Sequence, residues 1–233
     1  MKNKKTLFVA SLFVGLIAVC ASAQFAGGGG FSATAVLWFY GEEVTAAFTG
    51  ELSVSGSVTV AGEAIPFTAD GSLHGSAEGD TATLTGVGWG IFTGRGRTST
   101  GEEVKLYGGL AADTDDVSIS NEASGAGSAL FIALIIVGDE RLMARGIASA
   151  SAIGSFVPPE DPYTMELSGT GSISFQAATT VPLDGRSIKR EELPWSLSGW
   201  PSDLRAELLS LLGIGDPDEG EEGDGPDRVD QGF

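Results

Sequence analysis

The sequence predicts an all-β protein: an antiparallel meander of about nine strands, closed into a barrel or folded into a sandwich, with one C-terminal amphipathic helix and an acidic tail. Three observations predict it. Long segments alternate apolar or glycine residues with small polar ones at a period of two. The segments are joined by turns of about two to five residues, which connect antiparallel neighbours. The spacing changes to that of a helix near the C-terminus, where leucines recur at 204, 208, 211 and 212.

Residues 1–23 read as a secretory signal peptide. Lys2, Lys4 and Lys5 precede the apolar run "LFVASLFVGLIAVC", and Ala21-Ser22-Ala23 supplies small residues for cleavage after Ala23. Val19, just before Cys20, is too bulky for lipoprotein processing. Removal of this segment takes away the single cysteine, so the mature chain forms no disulfide although it is exported. It also lowers Lys+Arg from 13 to 10 against 31 Asp+Glu, moving the net charge from -18 to -21. A surface that acidic repels phosphate backbones and anionic headgroups, which excludes nucleic acid as a partner. Divalent cations, basic envelope partners and self-association through a sheet edge remain. No membrane span is expected after cleavage.

Residues 24–30, "QFAGGGG", read as a flexible leader, and 31–186 as the β domain. The first strand is 31–40, "FSATAVLWFY", ended by Gly41. The second, 44–60, sets Val44, Phe48, Leu52, Val54 and Val58 against Thr49, Glu51, Ser53, Ser55 and Ser57. Straight, it would exceed ~50 Å, so Gly50 and Gly56 mark a bulge or bend. After the turn 61–63, residues 64–77 alternate again, with Pro66 indicating an edge or a strand start. Residues 81–93 form a fourth strand with glycines at 86, 88 and 90. Shorter strands follow at 104–111 and 117–120. Residues 128–137, "SALFIALIIV", are apolar on both sides and read as a strand covered on each face. Residues 141–156 and 163–177 complete the meander. "ELSGTGSISF" at 166–175 echoes "ELSVSGSVTV" at 51–60.

Residues 187–214 form a tryptophan-containing linker and the helix. Ser202 suits the N-cap, Asp203 the positive end, and Gly213 the C-terminal stop. Trp195, Trp200, Leu204, Leu208, Leu211 and Leu212 make an apolar patch that either covers the sheet or docks a partner. Residues 215–233 read as a disordered acidic tail.

An outer-membrane barrel also alternates apolar and polar residues. Here the chain ends in an acidic tail, aromatic girdles are missing, and the apolar faces are rich in Gly and Ala. The apolar face is therefore expected to meet a protein core, with its glycines allowing another layer to approach closely.

Candidate chemistry is sparse. His74 is the only histidine and falls on a polar strand face. With no cysteine in the mature chain, the usual zinc sites cannot be built. Glu51 and Glu166, in matching "ELS" contexts, are the best carboxylate pair for glycoside hydrolysis. Asp113, Asp115 and Asp116 form a carboxylate-rich loop suited to calcium, and the tail adds Asp216, Asp218, Glu222 and Asp224. No other cofactor is implied. The glycine-rich 88–96, with Arg95 and Arg97, is not followed by the helix a phosphate loop needs, and reads as a tightly packed bend. The expectation is an exported non-enzymatic β-protein with a structural or binding role in the cell envelope or outside the cell. The alternatives are a barrel carrying a small apolar ligand and an outer-membrane barrel.

Overall fold

A computed structural model of the chain describes residues 24–60, 62–80, 85–114, 117–119, 122–157 and 164–215. The expected signal peptide 1–23 and the acidic tail from 216 onward lie outside the described residues, as do Asp115 and Asp116.

The elements are β1 (Gln24–Tyr40), β2 (Glu43–Val60), β3 (Glu63–Asp80), β4 (Thr85–Thr98), β5 (Glu103–Thr114), β6 (Val117–Ile119), β7 (Glu122–Val137), β8 (Glu140–Val157), β9 (Thr164–Pro182) and helix α1 (Ser202–Leu212). Every pairing is antiparallel, in the order β5-β4-β3-β2-β1-β9-β8-β7-β6. A further pairing of β5 with β7 returns the ladder to its start. The short β6 sits on β7 beyond the end of β5, so the hydrogen-bonded ring consists of the other eight strands. Antiparallel neighbours arise because the turns are short, and the ring closes because twisted sheets of this size coil.

The alternation of β2 is realised side by side: Leu52, Val54 and Val58 are buried, whereas Glu51, Ser53 and Ser55 are exposed. Inside the ring, Phe25 lies 5.8 Å from Phe67, 6.2 Å from Phe131 and 5.6 Å from Phe175, with Phe131 edge-on to Phe175 at 4.9 Å. These four strands thus meet through their side chains across the interior. Each buried ring contributes roughly 1.5–3 kcal/mol.

Phe25 also revises the expectation for residues 24–30. This segment is not a leader but the first part of β1, paired with β2 and β9 on its two sides. Its four glycines have no side chains to show a period, so the pattern hides the strand. Pro66 lies one residue before the β3–β4 ladder begins at Phe67, a position that asks nothing of its missing N–H.

The glycines of the apolar faces do allow close approach, but of two kinds. Within the ring they make room for phenylalanine rings from adjacent strands. A Cβ at Gly75 would stand 2.6 Å from the ring of Phe48, and one at Gly108 2.5 Å from that of Phe92. Outside the ring, Gly109 admits Leu208 and Trp200 of the C-terminal segment.

That segment forms a second layer. Ile91, Ile132, Leu134 and Met143 face outward and are covered by Leu183, Ile188, Leu197, Trp200, Leu204, Leu208, Leu209 and Leu212. β7 is accordingly apolar on both faces: Phe131, Ala133 and Ile135 look into the ring, Ile132 and Leu134 toward the covering segment. Two details of α1 differ from expectation. Pro201, not Ser202, is the N-cap residue, and no side chain caps the helix. Leu209 is buried in place of Leu211, which is only half-buried. Gly213 ends the helix at φ 70°, as its sequence position implies, and Ile214 donates its N–H to the Leu209 carbonyl.

Candidate functional site

Away from the covered wall, β9, β1, β2 and the second half of β8, whose first half carries the covered Met143, present a different outer surface. Around the pairs Ser32–Thr170 and Thr34–Ser168 the outward positions are mostly small hydroxyl residues, because these stretches alternate Ser or Thr with apolar residues or glycine. The register aligns them in rows. Glu51 pairs with Ser32, Ser32 with Thr170, and Thr170 with Ile153. One row further, Thr49 pairs with Thr34, Thr34 with Ser168, and Ser168 with Ser155.

These eight residues line an open groove of about 730 Å³, whose floor includes Ala33, Gly50, Gly154 and Gly169. Gly50 and Gly169 come too close to the neighbouring strand for a side chain. A Cβ would lie 2.9 Å from Ala33 Cα at the first and 2.6 Å from the Ile153 carbonyl oxygen at the second. Gly50 was expected to mark a bend, and it sits in the floor of this concavity.

The groove hydroxyls are unengaged. Ser32, Thr34, Thr49, Ser155, Ser168 and Thr170 have no side-chain hydrogen bond to another protein group among the described residues. Nearby hydroxyls differ: Ser151 and Ser172 bond at 3.1 Å, and Ser72 and Thr93 at 3.0 Å. Ile153 is 62% exposed at one end of its row, and Glu51 is exposed at the other. β1, β2, β3 and β9 carry no Lys or Arg.

The residues singled out in sequence disperse. Glu51 and Glu166 occupy strands on either side of β1, and Glu166 pairs with Val36, four positions from Ser32. At ~3.3 Å per residue and ~4.8 Å per strand they stand roughly 16 Å apart, too far for the two carboxyls of a glycosidase. His74 bonds Glu207 of α1 at 3.0 Å and so ties the helix to β3. Asp113 is exposed on β5, opposite Val87 and Ser128. No group of three His, Cys, Asp or Glu side chains that could hold a metal occurs among the described residues. Arg95 faces Asp70 and Lys105 across the ladder, and Arg97 donates to the Gly101 carbonyl.

Trp195 and Trp200 stack at 5.5 Å, and Trp200, Leu204, Leu208 and Leu212 are buried against the ring. Downstream of β9, Arg186 grips Glu192 with two hydrogen bonds, of 2.8 and 2.9 Å. The guanidinium, joined by the Lys189 backbone N–H, holds the Glu192 carboxyl below the usual carboxylate range.

Of the groove residues, only Glu51, as a carboxylate, and Gly50, as a bend, stand out in the sequence. The groove's signal was present in the Ser/Thr faces of four segments, but which segments lie side by side depends on β1 separating β2 from β9. No helix among the described residues is long and apolar enough to cross a membrane. Comparison with protein-family models, curated proteins and solved structures finds no match to this chain.

Proposed function

We propose that this chain is an exported, non-catalytic β-protein with a binding role in the cell envelope or outside the cell. The observation that carries the reading is the open groove of unengaged hydroxyls on the outer wall of a ring whose interior is filled by its own apolar side chains. A packed interior supports an outward-facing role over carriage of an apolar ligand. The space at Gly171 is taken by the ring of Phe31. Exposed Ser53, Ser55, Ser172 and Ser174 make a poor lipid surface, which speaks against a membrane barrel. The signal-like residues 1–23 support export.

Fractionation of the producing cell, with the mass of the purified protein, tests the reading. The expected product begins at Gln24 and is recovered outside the cytoplasm without detergent. A full-length cytoplasmic product, or one released only by detergent, would overturn it.

A further inference from the structure

We infer that the groove across β8, β9, β1 and β2 binds a neutral polyhydroxylated chain, a glycan without charged substituents. This rests on the reading of the protein as a binder and names its ligand class.

Three observations lead there. First, the groove hydroxyls have no protein partner among the described residues, and a hydroxyl both donates and accepts, which matches the hydroxyls of a sugar. An array of unpaired donors and acceptors in a concavity is satisfied by a ligand of the same kind or by water. Second, the charge is wrong for anions. The strands β1 and β9 that form the centre of the groove have no cation, and Glu51 adds a carboxylate. A sulfated, phosphorylated or uronic polymer would meet repulsion without a compensating Lys or Arg. Third, the geometry is linear. Ser32 and Thr170 lie in one row, Thr34 and Ser168 in the next, and the rows run across successive strands spaced ~4.8 Å apart. An extended glycan presents hydroxyls at a similar repeat. At the end of its row, exposed Ile153 offers an apolar surface to the C–H face of a sugar ring.

Affinity electrophoresis of the mature protein through gels containing neutral glucans, mannans or xylans, with a sulfated and a carboxylated polysaccharide alongside, tests this. Retardation by at least one neutral polymer is expected, and none by the charged ones. Thr34→Val and Thr170→Val keep β-branched shape and remove one hydroxyl each, and each should weaken binding about fivefold. Ser168→Gln, which fills the groove, should abolish it, with far-UV circular dichroism and melting temperature unchanged. No retardation by any neutral polymer would overturn the inference, as would retardation by the charged polymers alone or binding that survives Ser168→Gln. Release of reducing ends from the bound glycan would keep the ligand class and overturn instead the non-catalytic reading.

Discussion

Leu208 of α1 rests on Gly109 of β5, where an added Cβ would stand 2.8 Å from Leu208 Cδ1 and 3.1 Å from the Trp200 ring. The helix docks on the ring because this one strand position has no side chain. Gly109→Ala is absorbed by rotation of the leucine end, whereas Gly109→Val lifts the helix. We expect Gly109→Val to destabilise by about 1–3 kcal/mol, seen as a lower urea midpoint and a red shift of tryptophan emission as Trp200 is uncovered. An unchanged emission maximum would mean that the helix does not seat here.

Phe25 separates a strand from a leader. Buried among Phe67, Phe131 and Phe175, it should lose about 3–5 kcal/mol on Phe25→Ala. A leader residue would lose almost nothing. Chemical denaturation of the variant beside wild type decides between them.

The Arg186–Glu192 pair gives a pH dependence with a definite sign. The folded carboxyl is held below its unfolded value, so its stabilisation is fully present above the ordinary glutamate pKa of ~4.3. It is lost as pH falls through the depressed folded value. Glu192→Gln should therefore be less stable than wild type at pH 7, with the gap closing as the pH is lowered below about 4. A gap that stays constant over this range would assign the loss to something other than the carboxylate.

His74 and Glu207 link β3 to α1 through a bond that is largely open to solvent, with side chains 30% and 46% exposed. A double-mutant cycle with His74→Ala and Glu207→Gln should give a coupling below about 1 kcal/mol. A larger value would make this contact, rather than the leucine layer, the principal tie of the helix.

What could be read in the sequence was whatever the side chains themselves displayed. The period of two in β2 and β9, and the two-faced apolar run of β7, identify strands and even the number of layers on each. Gln24–Gly30 escaped because glycine has no polarity to alternate. Leu209 escaped because the helical wheel, at ~100° per residue, places Leu211 closer to Leu204 and Leu208. Leu209 is instead buried in the same cluster as Ile214, whose N–H donates to the Leu209 carbonyl in the C-terminal turn. The groove depends on pairings between segments distant in the chain, and no local pattern carries that information.

The pairing of β1 with β9 has a consequence in time. Phe31 is matched with Gly171, 140 positions later, while every other neighbour in the ring follows closely in the chain. Loop-closure entropy makes such a distant union slow, on the scale of milliseconds to seconds. Until residues 164–182 arrive, the opening strand keeps one bare edge and the meander cannot shut. The last long strand of the chain is thus the one that turns an open ribbon of strands into a closed circuit.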